Sequence, residues 1–333
     1  PDGFNLITTY AYDDAGRQTR TTDPLGRSDW LCYDTVGRVT RSVQNASGDG
    51  SGGPTTDPCN AAYIASTDPA EDRITSTVYD GQGNLIAVID PASRVSRTYY
   101  DDLNRPYLMV ANLVGADYLD PGAAVPAWSA ANPDRNIHAW TEYDAAGNVV
   151  KTINNAGETV VTCYDAANRP VKSIQNPTVA DPCIDYTPSG YTDQDVITQQ
   201  VYDENGNVIA VIDAKSRITR SYYDSANRPE IQIQNLTGQA IEVATPPGFD
   251  PAYPDQNVGA RTYYDGAGRP YRTEDLTTHE SSWTCFNAGG QVTKSVQNAT
   301  SDPCGAGWEP SALPDADVVT TYSYDAAGRQ IAV

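Results

Sequence analysis

Apolar residues along this chain come in short runs broken by polar turns, and no stretch keeps a helical period over three turns. The longest purely apolar run is Leu85 to Ile89. Segments such as Arg38-Val39-Thr40-Arg41-Ser42-Val43-Gln44 alternate in part between apolar and polar positions, the period of a half-buried strand. Val, Ile, Thr and Tyr fill these segments, while Asp, Asn, Gly and Pro separate them. The pattern predicts an all-β chain with strands of about six residues.

The turns share one phrase, Tyr-Asp-x-x-[Gly/Asn]-[Arg/Asn]. Its Gly form occurs at Tyr12-Asp13 with Gly16, Tyr33-Asp34 with Gly37, Tyr79-Asp80 with Gly83, and Tyr143-Asp144 with Gly147. It recurs at Tyr202-Asp203 with Gly206, Tyr264-Asp265 with Gly268, and Tyr324-Asp325 with Gly328. Copies at Tyr100, Tyr164 and Tyr223 carry Asn104, Asn168 and Asn227 instead, and a worn copy begins at Phe286. Asp opens a turn by accepting hydrogen bonds from amides two or more residues on, and Gly or Asn tolerates the positive φ of a hairpin with a bulge. A second turn follows about ten residues later, at Asp23, Asp90, Asn154, Asp213 or Asp275. Each unit therefore reads as two turns and two strands, in an antiparallel hairpin array whose members stack on their neighbours. Equivalent Tyr and Arg positions would then form ladders. Asn45, Asn112, Asn176, Asn235 and Asn298 each end a pair of units and are expected to cap the strand through a local side-chain-to-backbone turn.

The pairs are of two alternating kinds. One places Cys before its second motif, at Cys32, Cys163 and Cys285; the other reads Gly-Asn-x-Ile-Ala-Val-Ile-Asp, at Gly83 and Gly206. With Pro-Asp at Pro1, Pro133 and Pro254, this divides the chain into large repeats over 1–132 and 133–253 and a partial third over 254–333. Pro-rich excursions over 48–58, 117–133, 177–188 and 238–254 read as surface loops. The start at Pro1 and the interrupted phrase at Val333 are expected to be cuts in a longer array.

Composition narrows the partners. The net charge of −21 repels phosphate backbones and anionic membranes, so neither nucleic acid nor membrane insertion is expected of this segment. Tyr is 22 against Phe 3, which suits strands whose aromatic side chains end in water and argues against a helical bundle. No apolar run is long enough to span a bilayer as a helix. His138 and His279 are the only histidines, and both read as structural, His279 occupying a turn slot held elsewhere by Gly26 and Gly157. Acidic turns such as Asp80 to Asn84 and Asp203 to Asn207 lack calcium-loop spacing, no Cys-x-x-Cys occurs, and no metal or cofactor is expected. No carboxylate stands apart from the periodic turn set, so an enzyme is disfavoured.

Six cysteines allow fifteen connectivities. Repetition selects Cys32–Cys59, Cys163–Cys183 and Cys285–Cys304, each closing its own loop on an Asp-Pro-Cys phrase; the competing reading is six reduced, buried thiols. Asn45-Ala46-Ser47, Asn235-Leu236-Thr237 and Asn298-Ala299-Thr300 are glycosylation sequons, read here as strand-capping asparagines.

The repeated Tyr-Asp phrase resembles the RHS/YD-repeat family, which includes bacterial Rhs and wall-associated proteins, Tc-toxin shell subunits and teneurins. The resemblance covers nearly the whole chain. It implies a long β ribbon that spirals into a hollow shell, holding toxic cargo in toxins and supporting adhesion in teneurins. The family's Asp-Pro-x-Gly-Leu self-cleavage stretch is absent, and the nearest matches, at Asp23 and Asp90, are repeat turns. With the regular cysteines, this favours a non-enzymatic extracellular or cell-surface structural protein: a shaft, wall or filament segment. Its expected partners are further copies of the repeat and, through exposed Tyr clusters, cell-surface glycans. The alternative is a hollow Rhs/Tc-type shell around a toxin encoded C-terminally.

Overall fold

A computed structural model describes residues 6–47, 56–68, 70–120, 123–184, 188–189, 193–313 and 315–333. Pro1-Asp2 and parts of the loops over 48–58, 117–133 and 177–188 therefore lie outside the described residues. Among those described there is no α-helix, and 23 strands follow one another along the chain. The fold is all-β, as the turn phrase predicts. The chain divides into two compact units, Pro1–Val160 and Val161–Val333.

The first unit holds β1 (Thr9–Tyr12), β2 (Gln18–Thr22), β3 (Ser28–Tyr33), β4 (Val39–Ala46), β5 (Arg73–Tyr79), β6 (Leu85–Ile89), β7 (Val95–Tyr100), β8 (Pro106–Ala111), β9 (Ile137–Tyr143) and β10 (Val149–Asn154). Each pairs antiparallel with the next. β11 (Thr159–Tyr164) lies at the division. The second unit holds β12 (Pro170–Gln175), β13 (Val196–Tyr202), β14 (Val208–Ile212), β15 (Ile218–Tyr223), β16 (Pro229–Gln234), β17 (Val258–Tyr264), β18 (Pro270–Asp275), β19 (Ser281–Phe286), β20 (Val292–Gln297) and β21 (Val318–Thr321), again paired in sequence. The short strands β22 (Ser323–Tyr324) and β23 (Gln330–Ala332) form a separate hairpin.

The Tyr-Asp phrase sets the register. Nearly every copy places Tyr at the end of a strand, where pairing slips by one residue, as at Cys32/Tyr33, Val78/Tyr79 and Tyr263/Tyr264. Each slip skips one residue of the following strand, Thr40, Ile86 or Tyr271 in these three, while the turn before it is closed by Gly or Asn at positive φ, such as Gly37 at 92° or Asn104 at 58°. His279 takes the same conformation, with φ 62°, in the turn slot that Gly26 and Gly157 fill elsewhere.

Buried positions alternate along strands such as β7 and β15, and in β6 the neighbours Ile86 and Ala87 are both buried. Val43, Ile174 and Val296 are fully buried at matching positions of β4, β12 and β20. In the first unit the face they belong to is covered by returning loops: Tyr99, Leu108, Val110 and Leu113 form a cluster with Ala116, Tyr118 and Val125 from the excursion after β8. A single sheet cannot hide its apolar face without such cover.

Candidate functional site

Eleven motifs build one device. In each Asp-led copy, Asp Oδ1 accepts the amides two and four residues on, and where the sixth residue is Arg, Asp Oδ2 accepts its Nε; in the first copy these are Ala15 and Arg17 on Asp13, at 3.0, 2.9 and 2.7 Å. That clamp lays the guanidinium flat, and it lands on the ring of the next motif. Arg17 stands over Tyr33, Arg38 over Tyr79 and Arg105 over Tyr143, at 4.6, 4.4 and 4.6 Å from the ring centroid. In the second unit Arg169 covers Tyr202, Arg228 covers Tyr264 and Arg269 covers Phe286. The tyrosine hydroxyl also donates back to the residue after that sixth position: Tyr33 to Gln18 O, Tyr143 to Pro106 O, Tyr202 to Pro170 O and Tyr264 to Pro229 O, at 2.8 to 3.0 Å. Arg38 and Tyr79 flank the long loop after β4, so the ladder closes over an excursion as readily as over a tight turn. Hydrogen bonds and the cation above them hold the turn carboxylates of Asp13, Asp34, Asp101, Asp165, Asp224 and Asp265 below the ordinary carboxylate range.

The ladder carries a rule that the phrase alone does not display. Where a motif ends in Arg or Gln, the next has Gly in its fifth position; where it ends in Asn, the next has Asn. All ten steps obey it. At two Arg steps the approach is tight, since a Cβ on Gly37 would lie 3.1 Å from Arg17 Nη1 and one on Gly290 would lie 3.0 Å from Arg269 Nη1, whereas one on Gly147 would meet nothing within 4 Å. After a short Asn the gap is filled by a second amide, as Asn84 Nδ2 donates to Asn104 Oδ1 at 3.0 Å and Asn207 Nδ2 to Asn227 Oδ1 at 3.2 Å. Comparing each motif with its successor, rather than aligning all copies to one consensus, exposes the signal.

The loop mouths are a second device. Asn45, Asn112, Asn176, Asn235 and Asn298 all have positive φ near 50°. Their amides do not cap their own strands, as a local turn would. They reach across the mouth to the returning chain, Asn45 to Ala70 O, Asn112 to Asp134 O, Asn176 to Asp193 O, Asn235 to Asp255 O and Asn298 to Asp315 O. Two residues later on the returning chain stands Asp72, Asn136, Asp195, Asn257 or Asp317, also at positive φ, donating its amide to the carbonyl of the first Asn. The three aspartates close the cysteine-bearing loops. Each accepts both the amide and the hydroxyl of Ser47, Thr178 or Thr300, the second residue after the Asn. Burial alone would raise the Asp195 pKa, but donated hydrogen bonds from Ser189 and Thr178 outweigh it and hold the carboxyl far below the usual range. Asp72 and Asp317 are lowered in the same way. The sequon residues Asn45, Asn235 and Asn298 are thus clasp residues with engaged amides.

Three disulfides, Cys32–Cys59, Cys163–Cys183 and Cys285–Cys304, pin these same loops to the sheet, and no described cysteine is free. The Asp-Pro-Cys phrase has a separate task for each residue. Asp57, Asp181 and Asp302 accept the cysteine amide. The proline carbonyl accepts from a cation on the neighbouring strand: Arg41 to Pro58, Lys172 to Pro182 and Lys294 to Pro303. Arg41 and Lys294 are the cross-strand partners of Cys32 and Cys285. In the alternate pairs the cysteine slot holds buried Tyr99 or Tyr222, and the cation slot holds Leu108 or Ile231. There the loop is held without a covalent bond: Gln239 donates to the Tyr222 hydroxyl and Arg220 to Ile241 O.

One cavity, of about 810 Å³, opens in the first unit between β8, β9 and the turn after β10. Tyr107, Trp128, His138 and Trp140 line it with Asn155, Thr141, Glu142, Asp101 and Arg105. Among the described residues no cluster of three or more His, Cys, Asp or Glu is placed to hold a metal ion.

The RHS Repeat family model matches residues 2–28, which contain the first complete turn phrase. No curated protein sequence matches the chain. The crystal structure of TcdB2-TccC3-Cdc42 is similar over 96% of this chain and 14% of that one, with 15% identity and a TM-score of 0.56. The Tc holotoxin pore of Photorhabdus luminescens, carrying a TccC3 mutation, is similar over 97% of this chain and 14% of that one, with 15% identity and a TM-score of 0.57. At this identity the likeness is one of fold, and the chain spans about a seventh of those chains. The repeat model matched at the N-terminal end, the recurring motif and this fold make the chain similar to RHS/YD-repeat proteins.

Proposed function

We propose that this chain is wall material of a hollow Rhs/Tc-type shell, which encloses a toxin encoded C-terminally and delivers it outside the producing cell. The observation that carries the reading is the fold likeness over 96% of the chain to TcdB2-TccC3. The Arg-over-Tyr ladder supports it: each motif binds the next, so a wall of any length is built by repetition without a large core. On this reading the large repeats 1–132, 133–253 and 254–333 are successive sectors of the wall, the partners are further repeats of the same chain, and the segment is non-enzymatic.

A second reading, an extracellular shaft or filament segment, is favoured by the three stapled loops, because disulfides persist in oxidising surroundings. Electron microscopy of the protein with its native flanking sequence, together with protease protection, separates the two. A closed particle whose C-terminal region resists protease until the particle is opened is the expected result. An open filament with a freely digested C-terminal region overturns the shell and leaves the shaft.

A further inference from the structure

We propose that the cavity beside β9 is a binding site for a neutral saccharide, of about one or two pyranose rings. The proposal is independent of whether the array closes into a shell.

Its wall departs from the repeat. Among the strands that open a pair, the position of Trp140, three residues before the motif Tyr, holds Ser76, Gln199 and Arg261, and the position of His138 holds Ile74, Ile197 and Gly259; Trp recurs at that offset only in second strands, at Trp30 and Trp283. The departure assembles an aromatic surface. Trp140 lies 6.4 Å from Tyr107 at 35° and 5.8 Å from His138 edge-on. His138 is fixed by donating Nε2 to Pro126 O at 2.9 Å, and Trp128 by donating Nε1 to Pro133 O at 3.3 Å, so the excursion after β8 holds both rings in place.

Tyr107 and Trp140 are half-buried against the cluster of Tyr99, Leu108, Val110 and Leu113, and Trp128 is exposed, but no described guanidinium lies over these rings. Elsewhere a guanidinium occupies the aromatic face; the comparable group of Tyr263 and Trp283 lies under Arg272, at 4.6 and 5.3 Å. No described cation stands over Tyr107, Trp128 or Trp140.

The charges at the rim decide the class of ligand. Asp101 is paired with Arg105 at 2.8 Å, and Glu142 with Lys151 at 3.2 Å. The turn after β10 carries Asn154 where other units carry Asp23, Asp90 or Asp213. An anion site needs a free cation, and the cations at this rim are paired. Aromatic faces attract a cation through their quadrupole, so a quaternary ammonium is the competing ligand that the test below includes. What remains is apolar ring area with neutral hydrogen-bonding groups: the Thr141 hydroxyl, and Asn155, whose Oδ1 accepts the His138 amide and whose Nδ2 donates to no described residue. A pyranose has the complementary surface, one face of C–H groups and a rim of hydroxyls. A cavity of about 810 Å³ is within the range of small-ligand sites.

Saturation-transfer NMR on the full 333-residue chain tests this with cellobiose, lactose and diacetylchitobiose as neutral probes. Tetramethylammonium and sialic acid serve as charged ones. At least one neutral disaccharide at about 20 mM, above the millimolar range of a weak site, should receive saturation on its ring protons. Trp140→Ala should weaken that signal about tenfold in affinity, the scale of one lost stacking contact. Trp128→Ala, which leaves the strands untouched, should weaken it as well and keeps the test valid if Trp140→Ala fails to fold. Saturation of the charged probes alone, of none of the five, or of saccharides equally in both variants overturns the proposal.

Discussion

Gly37 shows how much a single position depends on a residue 20 places earlier. Its φ of 92° is open to Asn, as Asn104 demonstrates at 58°, so conformation does not forbid the change. Arg17 does, because a side chain there meets Nη1. Gly37→Asn should displace Arg17 from the Tyr33 face and cost about 1 kcal/mol, the worth of a partly buried cation–π contact. Arg17→Asn alone should cost a similar amount by baring Tyr33. The double variant restores the Asn–Asn pairing of Asn84 and Asn104 and should be more stable than the sum of the singles by about 1 kcal/mol. Urea denaturation of the four proteins measures that coupling; strict additivity would refute the rule.

Among the elements, the loops divide by how they are fastened. The loops after β4, β12 and β20 have a disulfide, a cation on the Pro carbonyl and an Asp-closed mouth; those after β8 and β16 have Tyr99 or Tyr222, apolar packing and an Asn-closed mouth. A bridge closing 19 to 27 residues contributes about 3 kcal/mol by limiting the unfolded chain. Mild reduction should therefore raise hydrogen exchange in the first three loops, leave the other two unchanged, and preserve the β signal at room temperature. Exchange rising equally in all five would mean that the staples act on the sheet. The strands and turns are legible in the sequence because each is set locally, by Tyr-Asp, by Gly or Asn at the bulge, and by alternation between them. The mouths are not, since Asn176 meets its partners 17 and 19 residues away and nothing beside it marks them. The aromatic cavity escapes for the opposite reason: His138 and Trp140 depart from the strands that open the other pairs and Trp128 lies in a loop, so a search for repetition passes over them.

Across the whole molecule, the charge is carried by turn and mouth carboxylates whose pKa values lie below the ordinary range, including Asp90, Asp203, Asp213 and Asp325 as well as Asp72, Asp195 and Asp317. A carboxylate with a folded pKa below its unfolded value of about 3.9 contributes stability that is fully present above that value and is lost as pH falls through the folded one. The ladder is built of Asp, Arg, Tyr and Asn, and neither histidine belongs to it. Nothing in the ladder therefore changes charge between about pH 5 and pH 8, and the melting temperature should be flat across that window, then fall steeply below about pH 4 as many equivalent clamps protonate together. Asp317→Asn, which copies the neutral mouth at Asn257, should lose some stability at neutral pH and show a shallower acid limb. Scanning calorimetry from about pH 2 to pH 8 measures both. A fall of more than about 10 °C between pH 8 and pH 5 would mean that groups outside the ladder govern stability.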